Sequence, residues 1–444
     1  MRIIIIGGVA AGMSAAAKAR RMDREADIVV YEMTEEVSFG ACGLPYFVGD
    51  FFEDPNRMIA RTKEQFEQTG IPVFTKHQVV AVDPDQKTLQ VRNMATGEEF
   101  GDYYDKMMIA TGARAVIPPF CNRELNNIFT LKSMADGRAL KAAALKEEHK
   151  QIVVIGAGYI GVEVVEAMKA LGKNVRLIQL DARVLPDSFD EEITKRMEAE
   201  LVAHGVQLHL NESVKGFVGE HMVEGVETDY GSYQADLVVV ATGVRPNTEF
   251  LKETGVEMLD NGALIINAHG ETSLPDIYAA GDCASVHHLI KGRPVYIPLV
   301  TTANKIGRIV GENLAGQKSE FRGTLGSACV KVMDLEAGRT GISEREAKQM
   351  GIPYKTVTIL DKNQTNYYPG QSDIHVKLIY HAETKVILGG QIIGKNGAVL
   401  RVDVLASAIY SKMTTEELGM LDLCYAPPFA RTWDVLNTAG NVAK

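Results

Sequence analysis

RIIIIGGVAAG, at residues 2–12, decides the fold of this chain of 444 residues. The isoleucines predict a buried β-strand, and the glycines that follow predict a tight turn into a helix that begins near Met13. Gly7 permits the turn, Gly8 lets the backbone approach a pyrophosphate, and Gly12 lets the helix pack closely against the strand. Because the free N–H groups at the start of such a helix bind phosphate, the stretch predicts a dinucleotide site.

The next strand and a repeat of the pattern strengthen this interpretation. Residues 28–31 form an apolar run that leads into Glu32, twenty residues after Gly12, where a carboxylate can accept hydrogen bonds from ribose hydroxyls. A second copy, IVVIGAGYIG, stands at residues 152–161. Two copies predict two bound dinucleotides, whereas a single copy could be a buried strand and turn without a ligand.

The two units end alike, which indicates how the chain is divided into domains. In each unit a later strand runs into Thr-Gly, at residues 111–112 and 242–243. A further strand ends in Gly-Asp, at residues 281–282, a pair that could cap a helix and face a ribityl or pyrophosphate group. The predicted domains are residues 1–113 together with 245–320, residues 114–244 inserted between them, and residues 321–444.

The C-terminal region has a different pattern. It predicts an α+β domain with an antiparallel sheet. Since it lacks a glycine phosphate motif, we expect it to pack against a partner subunit rather than to bind a nucleotide. The fold class expected for the whole chain is α/β, with two Rossmann-like domains and a C-terminal α+β domain. Apparent strands lie at residues 328–333, 354–359, 375–380 and 386–393, and apparent helices at 343–350 and 399–412.

Composition excludes several classes of protein. A formal net charge of −10 argues against nucleic acid or an anionic membrane as the main partner. The apolar run at residues 3–6 is too short for a secretory signal, and no run approaches the roughly 18–20 apolar residues that span a bilayer. The five cysteines are scattered without CxxC spacing, which disfavours disulfides and a metal site and favours a reducing cytoplasm.

One cysteine stands in a distinctive segment, SFGACGLPY at residues 38–46. A thiol attacks only as the thiolate, and Pro45 suits the first turn of a helix. We therefore expect Cys42 just before a helix N-terminus, whose dipole would lower its pKa. The alternative is an inert buried thiol, which is the usual state of a free cysteine.

Together these motifs resemble the flavin-dependent pyridine nucleotide–disulfide oxidoreductases. The resemblance covers the whole chain and is strongest to the single-cysteine branch, which contains coenzyme A disulfide reductases, NADH oxidases and NADH peroxidases. It implies FAD on the first unit, NADPH or NADH on the second, and a homodimer formed through the C-terminal domain.

Particular positions distinguish the branches of this family. Members like glutathione reductase carry a second cysteine five residues after the first, where this chain has Phe47, so the partner sulfur must come from outside the chain. NADH oxidases and peroxidases usually carry a histidine in the first glycine turn, where this chain has Ala10. Ala41 departs from the pattern, since relatives often carry a polar amide there. The resemblance to coenzyme A disulfide reductases is carried by residues 42–46, 367–370 and 425–429.

The resemblance implies an electron path from the nicotinamide through FAD to a mixed disulfide between Cys42 and coenzyme A. Tyr367 and Tyr425 would reach from the neighbouring subunit to donate a proton or a hydrogen bond to the leaving thiolate. Tyrosines in proline-rich loops are also common interface anchors, so both roles stay open.

Coenzyme A carries a pyrophosphate and a 3′-phosphate, for which an acidic protein needs a local cationic patch. Ser14, Lys18 and Arg21 fall at i, i+4 and i+7 of the first helix and therefore on one face. A solvated, charged helix face is the ordinary alternative. Further candidates for contact with the substrate are Ser38, Arg61, Asn304 and Arg308.

In the nicotinamide unit, Tyr159 and Glu163 resemble family residues beside the nicotinamide ring. The second strand ends in Gln179, where an NADH-preferring protein usually has a carboxylate. Gln179 does not repel a 2′-phosphate and Arg183 could reach one, whereas Asp181 is close enough to restore a preference for NADH. The balance slightly favours NADPH and leaves the use of both coenzymes open.

The predicted function is reduction of coenzyme A disulfide or coenzyme A persulfide. A second hypothesis is an NADH oxidase or peroxidase in which Cys42 cycles through sulfenic acid, and Ala10 weighs against it. A third is a flavin-bound redox sensor, for which the intact nicotinamide motif would be superfluous. The residues expected at the cofactors are Gly7, Gly8, Ala10, Ala11, Gly12, Glu32, Ala110, Thr111, Gly112, Gly156, Gly158, Tyr159, Ile160, Gly161, Glu163, Gln179, Gly243, Gly281, Asp282 and Ala303.

Overall fold

The computed structural model describes residues 1–443. Within them the chain forms eleven α-helices, and none of these is long and apolar enough to cross a membrane. Short 3-10 helices lie at Ala41–Gly43, Pro55–Met58 and Glu249–Thr254. The α-helices are α1 (Ala10–Met22), α2 (Leu44–Val48), α3 (Lys63–Glu67), α4 (Met134–Ala144), α5 (Tyr159–Ala170), α6 (Glu191–Ala203), α7 (Val300–Leu314), α8 (Glu344–Gln349), α9 (Ala398–Tyr410), α10 (Thr415–Gly419) and α11 (Val435–Val442).

The first parallel sheet is built around the strand that opens the chain. Ile3, Ile4 and Ile5 of this strand are fully buried, as expected for an apolar run in a parallel sheet whose faces are covered. α1 and α7 pack against the sheet and against each other. In spatial order its strands are Ile277–Ala279, Lys106–Ile109, Arg2–Ile6, Asp27–Tyr31 and Val73–Phe74, and all neighbours are parallel.

A second parallel sheet has the same central arrangement, in which the strand before the glycine turn lies between the next strand of its unit and the strand that runs into Thr-Gly. Its strands are Gln207–His209, Asn174–Ile178, Gln151–Ile155, Leu237–Val240 and Ile128–Phe129. All of them lie in sequence between two strands of the first sheet, which is the chain order of an inserted unit. Smaller sheets of this part of the chain contain His77–Asp83, Thr88–Asn93 and Glu99–Tyr103; Val214–Val218, Gly225–Thr228 and Ser232–Gln234; Ala113–Ala115 and Val244–Pro246; and Val286–His288 and Arg293–Val295.

The C-terminal region forms an antiparallel sheet, so the predicted α/β class with a C-terminal α+β domain is confirmed. In spatial order the strands are Ala328–Val332, Leu335–Gly341, Ile387–Gly394, Asp373–His381 and Tyr354–Lys362, with α9 packed against the sheet. The pattern did not predict the strand Leu335–Gly341. This strand has a low β propensity, because it contains two glycines as well as Glu336 and Arg339. Pairing with a strand on each side overrides that weak local preference.

A buried lysine joins the second parallel sheet's domain to the C-terminal sheet. The Lys377 side chain is 1% exposed. Its Nζ lies 3.4 Å from Asp190 Oδ2, 2.9 Å from Glu192 Oε2 and 2.5 Å from Glu344 Oε2. Gln391 donates a further hydrogen bond, from Nε2 to Asp190 Oδ2 at 2.8 Å. Polar groups that satisfy one another therefore hold α6 and α8 against the C-terminal sheet.

Candidate active site

Two glycine turns stand at the ends of the central strands. A Cβ added to Gly12 would lie 1.9 Å from the carbonyl oxygen of Gly7, and one added to Gly161 would lie 1.9 Å from that of Gly156. Any side chain there would push the helix away from the turn. α1 begins at Ala10, three residues before the predicted start.

The starts of α1 and α5 fit dinucleotide phosphates. Neither helix receives a side-chain hydrogen bond at its N-cap, whereas α4 and α8 carry complete capping boxes that begin at Ser133 and Ser343. The first N–H groups of an α-helix have no partner within the helix, so these two starts keep backbone donors for an anion. Gly158 and Ile160 lie at this start of α5.

The other residues predicted near FAD surround the first turn. A Cβ on Gly7 would lie 2.1 Å from the Ala110 carbonyl oxygen, and one on Gly281 would lie 3.2 Å from the Ala11 Cβ and 3.9 Å from the Ala303 Cβ. The end of one strand and two helices thus meet at the glycine turn. Glu32 is buried, and its Oε2 accepts a hydrogen bond from the Gly8 N–H at 2.7 Å.

Each dinucleotide unit has a loop where a later strand runs into Thr-Gly. Thr111 donates a hydrogen bond from Oγ1 to the Asn247 carbonyl at 2.7 Å, and Gly112 and Gly243 both have positive φ angles.

The prediction that Asp282 caps a helix is wrong, because the chain turns there and continues into the strand Val286–His288. Asp282 instead pairs with Lys132 at 2.8 Å, a residue that the sequence analysis missed since it lies 150 positions away.

Cys42 lies in the 3-10 turn that leads directly into α2, and it is exposed. α2 packs against α4 and α5. Gly49 makes the second contact close, since a Cβ there would lie 2.9 Å from the Ala167 Cα. The packing brings Cys42 within electrostatic range of Glu163 on α5 and of the Lys132–Asp282 pair. The thiol therefore stands where the two dinucleotide units meet.

The predicted lowering of the Cys42 pKa is wrong. Although the residue is exposed, the surrounding protein removes part of the hydration of its sulfur, and this raises the pKa of the thiol. The negative charges of Glu163 and Asp282 raise it further, and Lys132 opposes them only in part. The helix that follows has only five residues, so its dipole is a weak counterweight to two nearby carboxylates.

The pKa of Glu163 is itself shifted from its ordinary value. Burial, followed by repulsion from Glu166, raises the pKa of Glu163 to about 7. Glu166 pairs with Lys331 on the strand Ala328–Val332 of the C-terminal sheet. Near neutral pH, Glu163 can therefore gain or lose a proton beside Cys42.

Removing a negative charge near Cys42 and removing a positive charge near it should shift its pKa in opposite directions. Glu163→Gln removes a charge that opposes the thiolate and should lower the pKa of Cys42, whereas Lys132→Met removes a charge that favours it and should raise it. The pH dependence of alkylation of Cys42 by iodoacetamide in the reduced holoenzyme, followed on its own peptide by mass spectrometry, reports this pKa, because the thiolate is the reacting form. Glu227→Gln, on a surface strand, is the control. Shifts in the same direction for both variants would contradict this account.

A cavity of about 440 Å³ lies between α1, α7 and the segment that precedes Cys42. It brings together six of the predicted substrate residues: Ser14, Arg21, Ser38, Arg61, Asn304 and Arg308. Lys18 does not line it and pairs with Glu312 at 2.8 Å. Gly40, two positions before Cys42, belongs to the wall, as do Phe39 and Phe66, which the sequence analysis did not single out.

Two glycines one helical turn apart bring the walls of this cavity together. A Cβ on Gly307 would lie 2.4 Å from the Ala11 carbonyl oxygen, and one on Gly311 would lie 2.5 Å from that of Ala15. α7 can therefore approach α1 closely enough for Ser14 Oγ to donate a hydrogen bond to Asn304 Oδ1 at 2.7 Å. The GxxxG spacing was a signal of close helix packing that could have been found in the sequence.

Tyr367 and Tyr425 meet, although 58 residues separate them. Their hydroxyl oxygens are 2.8 Å apart, and both side chains are exposed on the C-terminal domain. Phe429 and Trp433 are exposed nearby in sequence, with 75% and 54% of their surface accessible. The C-terminal domain thus presents a tyrosine pair and further exposed aromatic side chains.

The fold and this site define a flavin- and nicotinamide-dependent oxidoreductase. The chain belongs to the pyridine nucleotide-disulphide oxidoreductase family, whose model matches residues 1–307, and the dimerisation domain of the same family matches residues 327–435. The predicted family, the enzyme class and the use of FAD and NAD(P)H are confirmed.

Individual relatives extend over the full chain. An NAD(P)H coenzyme A polysulfide/persulfide reductase of Pyrococcus horikoshii is 39% identical, covering 100% of this chain and 98% of its own. An NADH oxidase of Enterococcus faecalis is 34% identical over 100% and 99%, and a coenzyme A disulfide reductase of Staphylococcus aureus is 32% identical over 100% of both chains. The solved structure of an NAD-dependent persulfide reductase from A. fulgidus superposes with a TM-score of 0.96 at 35% identity, covering 100% of this chain and 83% of that one.

Proposed function

We propose that this chain reduces coenzyme A disulfide or coenzyme A persulfide with electrons from NAD(P)H, and that Cys42 is its nucleophile. The observation that carries the proposal is an exposed thiol beside an arginine-lined cavity. The position five residues after Cys42 is the buried Phe47 and not a second cysteine, so the substrate brings the other sulfur.

The charge of the cavity suits coenzyme A. Arg21, Arg61 and Arg308 line it, and no carboxylate does so among the described residues. Guanidinium groups bind phosphate through paired, charge-assisted hydrogen bonds. Phe39 and Phe66 add apolar wall, and the cavity volume lies within the range of small-molecule sites. The proposed phosphate end of the substrate would therefore rest here, with its sulfur toward Cys42.

The proposed reaction balances as a two-electron reduction. The Cys42 thiolate attacks one sulfur of coenzyme A disulfide, forms a mixed disulfide and releases one coenzyme A thiolate. When bound, NAD(P)H and FAD supply the two electrons that cleave this mixed disulfide. Cys42 returns to the thiolate and the second coenzyme A leaves, so one NAD(P)H and one proton yield NAD(P)⁺ and two thiols. Glu163, with its pKa near 7, can exchange a proton at this point.

The functional unit is proposed to be a homodimer. The C-terminal residues match a dimerisation domain, and that domain exposes several aromatic side chains. Tyr367 and Tyr425 of the partner subunit would then stand over Cys42. Their mutual hydrogen bond lets one hydroxyl orient the other to donate to the leaving thiolate.

Steady-state turnover tests the function, with coenzyme A disulfide, coenzyme A persulfide, peroxide and oxygen as acceptors. We expect the coenzyme A compounds to dominate. Arg21→Glu should raise the KM for coenzyme A disulfide by roughly tenfold or more, because a charge-assisted hydrogen bond to phosphate becomes a repulsion, and should leave the KM for the nicotinamide unchanged. Lys252→Glu, an exposed charge reversal away from the cavity, is the control.

Two outcomes would count against the proposal. If oxygen or peroxide outpaces every coenzyme A compound by about tenfold, the chain is an NADH oxidase or peroxidase. One of its relatives is named an NADH oxidase. If Arg21→Glu changes both KM values equally, the cavity is not the coenzyme A site.

A further inference from the structure

A hydrogen-bonded pair marks the end of the strand Asn174–Ile178, the place where a Rossmann unit meets the adenosine ribose. Gln179 is buried, with 8% of its surface exposed, and its Nε2 donates a hydrogen bond to Asp181 Oδ2 at 2.8 Å. Asp181 is exposed. The backbone there is held by the neighbouring strand, since the Gln179 N–H donates to the His209 carbonyl at 2.8 Å and the Asn211 N–H donates to the Asp181 carbonyl at 3.0 Å.

The first unit of the same chain shows what this pair replaces. There the Gly8 N–H donates to Glu32 Oε2 at 2.7 Å, so a carboxylate closes the glycine turn. In the second unit the Ala157 N–H donates to Gln179 Oε1 at 2.8 Å, so an amide does the same. The amide has a donor left over, which a carboxylate lacks, and this donor holds Asp181. The second unit therefore has its carboxylate at Asp181, two residues after the position that corresponds to Glu32 of the first unit.

The nearby cation is engaged elsewhere. Arg183 is half-buried and donates from Nη1 to the Phe189 carbonyl at 3.4 Å. It also lies close enough to Glu191 and Glu198 for attraction to their charges, and both of these residues belong to α6. Arg183 is thus bound within its own domain, while the Asp181 carboxylate is open to solvent.

We propose that Asp181, positioned by Gln179, makes the second unit prefer NADH over NADPH. A carboxylate at this place accepts hydrogen bonds from ribose hydroxyls and repels a 2′-phosphate. The sequence alone slightly favoured NADPH, because Gln179 is neutral. The hydrogen bond to Asp181 reverses that balance. The proposal concerns the nicotinamide coenzyme and does not depend on which sulfur compound is reduced.

Binding, rather than turnover, tests this preference. Calorimetric titration of the FAD-loaded enzyme with ADP-ribose and with 2′-phospho-ADP-ribose measures recognition of the ribose without hydride transfer. The wild type should bind ADP-ribose at least roughly tenfold more tightly, and Asp181→Asn should reduce that ratio by roughly tenfold, in line with one charge-assisted hydrogen bond. Asp187→Asn removes a charge from an exposed position of the same segment and should leave the ratio unchanged.

Gln179 is a positioning residue, so its effect should vanish when its partner is neutral. Gln179→Leu should lower the ratio in the wild type and leave it unchanged in the Asp181→Asn background. Equal effects in both backgrounds would mean that Gln179 acts only through the turn. The proposal is overturned if the wild type binds 2′-phospho-ADP-ribose as tightly as ADP-ribose. It is equally overturned if Arg183→Gln weakens the phosphorylated probe by roughly tenfold, which would place that cation on the phosphate.

Discussion

Replacing Cys42 by serine should abolish reduction of coenzyme A disulfide while the flavin is still reduced by NADH. A hydroxyl does not attack a disulfide at neutral pH, because the reaction needs a thiolate. Turnover should fall by roughly three orders of magnitude or more, the scale on which removal of a nucleophile acts. Anaerobic stopped-flow absorbance separates the two half-reactions, since it follows flavin reduction directly and thiol release with a chromogenic reagent.

Cys329 offers the sharpest control for this experiment. It is also exposed. Partial loss of hydration raises the pKa of its thiol most, and the negative charges of Asp403 and Glu163 raise it further, so its surroundings resemble those of Cys42. Cys329→Ser should retain full turnover with coenzyme A disulfide. If both serine variants are inactive, the reaction uses two protein thiols and the single-thiol mechanism is wrong. If Cys42→Ser remains active, Cys42 is not the nucleophile.

Replacing Lys377 by methionine should give the largest loss of stability. The lysine faces Asp190, Glu192 and Glu344, and removing it leaves these carboxylates close together without a cation. We expect a loss of about 3 kcal/mol, the low end for breaking a buried ion pair, because Glu192 and Glu344 are partly exposed. Calorimetric unfolding of the holoenzyme should show a lower transition temperature.

Two further variants isolate the cause of this loss. Lys195→Met on α6 also removes a lysine from an ion pair, but that pair is exposed, so the transition should barely move. Adding Glu192→Gln and Glu344→Gln to Lys377→Met should recover part of the loss, because these changes neutralise two of the three carboxylates that are left without a cation, leaving only the Asp190 carboxylate. No recovery would show that the aliphatic part of Lys377, rather than its charge, stabilises the interface.

Short-range patterns were sufficient for much of the fold. The glycine turns at residues 2–12 and 152–161 predicted two strand–turn–helix units, and the structure contains both. The steric demand is local, since Gly12 must clear the carbonyl of Gly7 only five residues away. The strand Leu335–Gly341 escaped prediction because its neighbours in the sheet, rather than its own residues, keep it extended.

The candidate site likewise has features that the sequence predicts and features that only the tertiary structure decides. Residue types along the chain were enough to single out Cys42 and the arginines, because a thiol and a guanidinium carry their chemistry wherever they stand. The sign of the Cys42 pKa shift, the Lys132–Asp282 pair, the shared cavity of α1 and α7 and the cluster around Lys377 were decided only by the tertiary structure. Electrostatic energy depends on distance through space, and these charges lie tens to hundreds of residues apart along the chain.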